Sequence, residues 1–325
     1  MGRFDVSSLE REVGLVINHC LVIGASGFMG RALCDYLSKK NIQVRAMLRQ
    51  QQHGPWLDSV VFNLNSFNNN IHKSNFPESA FNGIDAIFYV AGIAHASKNS
   101  KIPDELYYST NLNAAEQVLQ LASQSNIKYF IYFSSVKAIG KPQDPYGKSK
   151  QMAEERVLKL GQQLGIHVCI LRPSLVYGPH VKGNLFNMIR AIDKGWFPPL
   201  PETHNQRSMI SVYDIVEVAL MSALNPIANG KIYTVTDGKP YSTRQLYDAI
   251  RKALGLSPCQ WFIPKGLLQI PAYFSTLYAE ILEKLLRSEF YASELIQNEL
   301  GWIPKRDFYS DLPEMISVYR QNQSR

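Results

Sequence analysis

Cysteine is scarce, four in 325 residues, and Cys20, Cys34, Cys169 and Cys259 share no CxxC or Cys/His spacing. Zinc and dithiol chemistry are unsupported, and no metal site is expected. Cys20 and Cys169 sit inside apolar strand-like runs and read as core packing in a reducing compartment, hence an expected cytoplasmic protein. No run approaches the ~20 apolar residues that cross a bilayer. Residues 1–18 read as a polar extension without the apolar centre of a signal peptide. Basic residues exceed acidic ones by 34 − 27 = 7. No long Lys/Arg block concentrates that charge, so a nucleic-acid partner is not expected. What the chain does have is 46% apolar residues and 19% charged ones, enough for a packed core and too little charge for disorder.

Short apolar runs alternate with helical patterns through the first half. Strands are predicted at His19–Gly24, Gln43–Leu48, Val60–Leu64, Ala86–Ala91, Tyr129–Ser134 and His167–Leu171. Helices are predicted at Arg31–Lys40, Leu112–Ser125 and Tyr146–Gly165. This alternation predicts an α/β fold, a Rossmann-type doubly wound parallel sheet with a ligand crevice at the carboxyl ends of its strands. Residues 19–172 form the expected dinucleotide-binding domain, with a return segment near 209–235. Residues 173–208 and 236–325 form the expected smaller substrate lobe; Pro198, Pro199 and Pro201 mark its loops. The stretch Trp261 to Leu286 is apolar but broken by Lys265 and two prolines. It reads as a pair of buried helices without stable membrane insertion.

Three patterns carry chemistry. Gly24, Ser26, Gly27, Phe28, Met29 and Gly30 follow the first strand and open a helix. Glycines there let the backbone approach a pyrophosphate, and free helix N–H groups favour the anion. The second strand ends in Leu48-Arg49, where an NAD-preferring site usually places an acid for the ribose diol. Arg49, with Arg45 and Arg31 adding to the field, suits a 2′-phosphate, so NADP(H) is favoured and NAD(H) is the alternative. Tyr146 and Lys150 lie four apart on one helical face, after Ser134-Ser135 at the end of a strand. The ammonium is expected to favour the phenolate and to grip the nicotinamide ribose. Tyr146 then serves as acid or base, and Ser135 bonds the same substrate oxygen.

Together these residues resemble the extended short-chain dehydrogenase/reductase family, in its NAD-dependent epimerase/dehydratase branch of nucleotide-sugar 4-epimerases and 4-ketoreductases. The likeness runs from about His19 to Trp302. It implies that Asn63 and Leu64 lie along the adenine, that Ala91 and Gly92 line the cofactor groove, and that Asn111 braces the site. It implies that Leu171-Arg172-Pro173 backs the nicotinamide. Asn184 and Arg207 resemble the family's positions for a nucleoside diphosphate. Lys137 stands where several relatives have a small or hydroxyl side chain, and is a substrate-binding candidate. Two departures stand out: no Asp follows the second strand, and only ten residues separate Ser135 from Tyr146.

The expected activity is reduction of the C4 keto group of a UDP-linked N-acetylated 6-deoxy sugar for surface polysaccharide. The alternatives are a UDP-hexose 4-epimerase and a non-catalytic dinucleotide sensor, which has no need of Ser135, Tyr146 and Lys150. His95, His180, Glu154 and Glu155 read as spectators, the two carboxylates as a solvated helix face. A homodimer is expected by resemblance, with Leu119, Val157 and Leu158 either at its interface or buried on the chain's own sheet.

Overall fold

The computed structural model describes residues 16–66, 76–93 and 102–323; His95 lies outside them. The strands are β1 (His19–Ile23), β2 (Gln43–Leu48), β3 (Asp58–Val61), β4 (Ala86–Tyr89), β5 (Tyr129–Phe133), β6 (His167–Pro173), β7 (Leu175–Tyr177), β8 (Arg207–Ser211), β9 (Lys231–Val235) and β10 (Pro240–Tyr241). The chain divides into two compact units. One comprises the residues up to Pro173 together with Val212–Val235 and Ser293–Ile303; the other comprises Ser174–Ser211, Thr236–Ala292 and Pro304 onward.

The first unit holds a parallel sheet in the order β3-β2-β1-β4-β5-β6-β9. β4 and β5 are buried at every residue, which is why they read as unbroken apolar runs. The strand order reverses between β1 and β4, the switch point where such sheets open a crevice. Helix α1 (Phe28–Lys39) buries Gly30, Leu33, Cys34 and Leu37 on one stripe. It begins one turn before the predicted Arg31, because Gly27 closes directly onto it: Gly27 accepts from Arg31 N–H at 2.9 Å. The predicted helix at 112 starts earlier and is composite: α2 (Asp104–Tyr108), a π-helical turn (Ser109–Asn113) and α3 (Ala114–Ala122). Helix α4 (Pro145–Leu164) is capped by Asp144, whose carboxylate accepts from Gly147 N–H at 2.9 Å, and stops at left-handed Gly165 (φ 66°).

The structure adjusts the expected bounds as follows. β3 lies earlier than 60–64, because Arg45 on β2 pairs with Asp58 (2.9 Å) and sets the register. Of the return segment, only Lys231–Val235 joins the large sheet; Met209–Ser211 belongs to the small one. Leu119 and Val157 are fully buried among strand residues such as Ile87 and Phe130, the second of the two placements expected for them. The first unit also takes in the helix Glu294–Leu300, whose Glu299 binds Lys231 (2.8 Å) and Tyr233 (2.7 Å) of β9.

The second unit has a three-stranded sheet, β10-β8-β7, with β7 and β8 parallel and β10 antiparallel. Beneath it Asp237 accepts from Tyr177 (3.1 Å) and Tyr241 (2.7 Å), and burial pushes its carboxyl up to about 6. The helices Lys265–Gln269 and Thr276–Leu286 do form in the Trp261–Leu286 stretch. They are not buried as predicted: Leu267 and Ile281 are 56% and 45% exposed, and Tyr273 and Phe274 between the helices are 85% and 87% exposed. Leu268 and Leu282 are buried, in a small cluster with Leu200. Among the described residues no helix is long and apolar enough to cross a membrane.

Candidate active site

The glycine turn sits at the carboxyl end of β1. Gly24 has φ +90°, a conformation that L side chains rarely adopt, and an added Cβ would stand 2.7 Å from Ala91 N. A Cβ on Gly30 would stand 2.1 Å from the Gly24 carbonyl oxygen. Gly27 is the N-cap of α1 and offers no side-chain oxygen to the first amides of the helix. The N–H groups around Phe28, Met29 and Gly30 therefore stay available for an anion. The cleft beside the turn is lined by Gly24, Ser26, Gly27, Leu48, Arg49, Asn63, Leu64, Ala91, Gly92 and Thr110, among others. Backbone crowding leaves room there only where side chains are missing, which is the fit a pyrophosphate and its nucleoside require.

Arg49 is exposed at the rim of this cleft. Its expected helpers are engaged elsewhere. Arg45 is held by Asp58 and by the carbonyls of Ser79, Ala80 and Asn82. Arg31 donates to the His53 carbonyl at 2.9 Å and lies over Trp56. The phosphate field expected from three arginines thus rests on Arg49.

The second cluster lies at the end of β5. Ser135 caps a 3-10 turn, Val136–Ala138, and its hydroxyl accepts from Lys137 N–H at 3.2 Å. That fixes the hydroxyl, which hydrogen-bonds to the Tyr146 phenol. Gly147 lets α4 approach this turn: a Cβ there would stand 2.6 Å from the Lys137 carbonyl oxygen. Gln151 clips the short connection further, donating to the carbonyls of Ala138 (3.1 Å) and Gly140 (2.9 Å). The trimmed segment between Ser135 and Tyr146 is thus tied to the helix that carries the tyrosine.

Lys150 is 3% exposed. Its Nζ donates to the Phe133 carbonyl at 2.7 Å and lies 4.5 Å from the centre of the Tyr132 ring. Burial lowers its pKa to about 7, against the opposing pull of Glu154. The expected depression of the tyrosine is not found. Burial pushes the Tyr146 phenol up and Asp144 adds to this, while the Ser135 hydrogen bond works the other way. The Lys150 amine faces a carbonyl and a ring, so its charge is spent locally.

Asn111 joins the two clusters. Fully buried, it accepts from Ile93 N–H (3.0 Å) and donates to Ser149 Oγ (3.0 Å) and the Ile93 carbonyl (3.3 Å). It lies in the π-helical turn, whose Thr110 and Asn111 carbonyls are taken by the hydroxyls of Tyr89 (2.9 Å) and Tyr132 (2.7 Å). A Cβ on Gly92 would press on Asn111 Oδ1 (3.0 Å) and Lys150 Nζ (3.1 Å). The cleft floor is therefore continuous with the Lys150 amine.

The remaining candidates are placed as follows. Pro173 ends β6, paired with Val235. Asn184, exposed, and Arg207 belong to the second unit, where the Arg207 guanidinium donates to Thr243 Oγ1 (3.2 Å) and to the Lys284 carbonyl. Glu154 was misread: it is 1% exposed and bound to Arg172 and Ser134, whereas Glu155 is exposed. Its spacing held the signal, since Tyr146, Lys150 and Glu154 fall at successive turns of one helix face.

The sheet order, glycine turn and paired Ser-Tyr/Lys cluster define a dinucleotide-dependent enzyme of the Rossmann class. The chain belongs to the NAD dependent epimerase/dehydratase family, whose model matches residues 20–236. It is 25% identical over 331 residues to a UDP-glucose 4-epimerase of Vibrio cholerae, covering 94% of this chain and 96% of that one. It is 25% identical over 282 residues to the N-acetyl-alpha-D-glucosaminyl-diphospho-ditrans,octacis-undecaprenol 4-epimerase of Escherichia coli O157:H7, covering 82% of each chain. The fold is shared with MoeE5 solved in complex with UDP-glucose and NAD, at a TM-score of 0.75, with 20% identity and coverage of 94% of this chain and 99% of that one.

Proposed function

We propose that this chain is a UDP-sugar 4-epimerase that retains its dinucleotide through the catalytic cycle. The observation that carries the reading is the Ser135–Tyr146 hydrogen bond at the end of β5, with the Lys150 amine 3.1 Å from where a Gly92 side chain would begin on the cleft floor. The 4-epimerase names of its relatives support this over the reductase expected from Arg49. A reductase drawing on exchangeable NADP(H) is the second reading, favoured by the exposed Arg49 at the rim and by the missing acid.

In the proposed reaction Tyr146 accepts the C4 hydroxyl proton as the C4–H bond breaks. It returns that proton to the carbonyl oxygen when the C–H bond re-forms on the opposite face. Ser135 donates to the same oxygen and keeps it within reach of the phenol. Lys150 would hold the nicotinamide ribose, and the missing side chain at Gly92 leaves its amine open to the cleft floor. When bound, the nicotinamide supplies the hydride acceptor and donor, and its oxidised form adds a positive charge that favours the phenolate. Lys137, Asn184 and Arg207 are the proposed substrate contacts, the arginine suited to a diphosphate.

The test is to purify the protein, identify the dinucleotide it retains, and offer UDP-glucose and UDP-N-acetylglucosamine without added cofactor. Epimer formation with no net dinucleotide consumption is expected. Stoichiometric NADPH oxidation on a 4-keto sugar would favour the second reading instead.

A further inference from the structure

Three elements meet at one buried carboxylate. Glu154 on α4 is 1% exposed and accepts from Arg172 of β6 through both oxygens, Nε at 2.8 Å and a terminal nitrogen at 2.5 Å. It also accepts from the Ser134 hydroxyl at the end of β5. Ser134 is flanked by two residues of the reacting cluster: Phe133, whose carbonyl receives Lys150, and Ser135, which bonds Tyr146. Glu154 itself lies one helical turn past Lys150. A fork-to-fork arginine–carboxylate pair constrains angle as well as distance. The cluster therefore fixes the helix bearing Tyr146 and Lys150 against the strand end bearing Ser135.

We propose that the Glu154–Arg172–Ser134 cluster is a positioning unit for the reaction, setting the Ser135–Tyr146 and Lys150–Phe133 contacts and placing a fixed negative charge behind the Lys150 amine. This rests on the reading of Ser135, Tyr146 and Lys150 as the reacting groups. The titratable groups around that amine are Tyr146 and Glu154 of its own helix, Tyr132 of β5 beneath it, and Arg172 of β6 across Glu154. Burial alone drives Lys150 toward neutrality, and Glu154 is the group that opposes it.

The test is Glu154→Gln, read first by titration of protein labelled with ¹⁵N at lysine Nζ, with Lys150 assigned through Lys150→Arg. The wild-type midpoint is expected near 7. In the variant it should fall by about one pH unit, and the alkaline limb of kcat should move down with it. The kcat should drop ~10- to 100-fold while KM for the UDP-sugar changes less than about threefold. Glu154→Gln leaves Arg172 with a lost partner, so the double variant Glu154→Met/Arg172→Met is the companion, removing both charges together. It should fold, show a smaller downward displacement than Glu154→Gln because the Arg172 charge leaves with the carboxylate, and lose kcat to a similar degree. An unmoved Lys150 midpoint and limb in folded Glu154→Gln overturns the proposal, as does an unchanged kcat in the folded double variant or failure of the double variant to fold, which makes the cluster purely structural. The titration needs no substrate, so absence of epimerase activity would overturn the reading of the site and leave this result standing on its own.

Discussion

The two ends of the site treat polar groups in opposite ways. At the mouth of β1 the backbone is stripped of side chains and the first amides of α1 have no capping oxygen. At the mouth of β5 polar atoms are engaged in a connected set: Ser135 with Lys137 and Tyr146, Lys150 with Phe133, and Asn111 with Ile93 and Ser149. The first end is built to receive a charged ligand by leaving donors free. On the proposed reading, the second holds the reacting atoms in place before the ligand arrives. Binding and chemistry should therefore respond to different substitutions.

The largest separation is expected from Tyr146→Phe. Turnover should fall ~10³-fold or more, within the span attributed to positioned acid–base groups, while dinucleotide affinity measured by calorimetry stays within about threefold. Equal loss of both would erase the division between the two ends.

Gly30→Val is the converse. Its Cβ would meet the Gly24 carbonyl oxygen at 2.1 Å, so the turn must open. Dinucleotide affinity should fall ~100-fold and unfolding free energy by about 2–3 kcal/mol, as for overpacked sites. Denaturant melts with and without NAD measure both.

Asn111→Ala sharpens the comparison by touching the bridge between the ends. It leaves the Ile93 amide without its buried partner and Ser149 with only the Tyr146 carbonyl, at a cost of about 1–3 kcal/mol, with kcat and dinucleotide affinity both reduced. A smaller effect concerns pH. The Lys150 pKa, about 7 in the folded protein, lies below its unfolded value of ~10.4. Between those values the unfolded chain binds the extra proton, so this group's contribution to stability rises with pH, and the burial penalty is present in full below about 7. The dinucleotide-free protein should gain stability from pH 7 to 8.5 relative to Lys150→Met. A flat difference would mean that the amine is not desolvated.

The smallest effect is expected from Arg49→Glu. If the exposed Arg49 at the cleft rim meets a 2′-phosphate, as the second reading has it, the change should weaken NADP(H) about tenfold and leave NAD(H) nearly unchanged. An equal effect on both would make Arg49 an adenine contact.

The same contrast explains what was legible in the sequence. The glycine turn is a local backbone device, and its residues name themselves by spacing. The buried strands β4 and β5 announce themselves as unbroken apolar runs. Tyr146 and Lys150 were legible for the same reason, four apart on one helix. Glu154 was misread because its burial depends on Arg172 and Ser134, each 18 or more residues away. The π-helical turn was invisible because its Thr110 and Asn111 carbonyls are satisfied by tyrosines on β4 and β5, not by a local pattern. Arg45 was assigned to phosphate although its partner, Asp58, is set by strand register. The exposed Leu267 and Ile281 show the limit in the other direction, since apolar composition by itself does not bury a helix.

The most direct test uses UDP-glucose carrying deuterium at C4, incubated with the purified protein without added dinucleotide. The account predicts that the 4-epimer forms and keeps its deuterium at C4, because the hydride leaves and returns within one site. Wash-out of the label into water, or no product until NADPH is supplied, would contradict it.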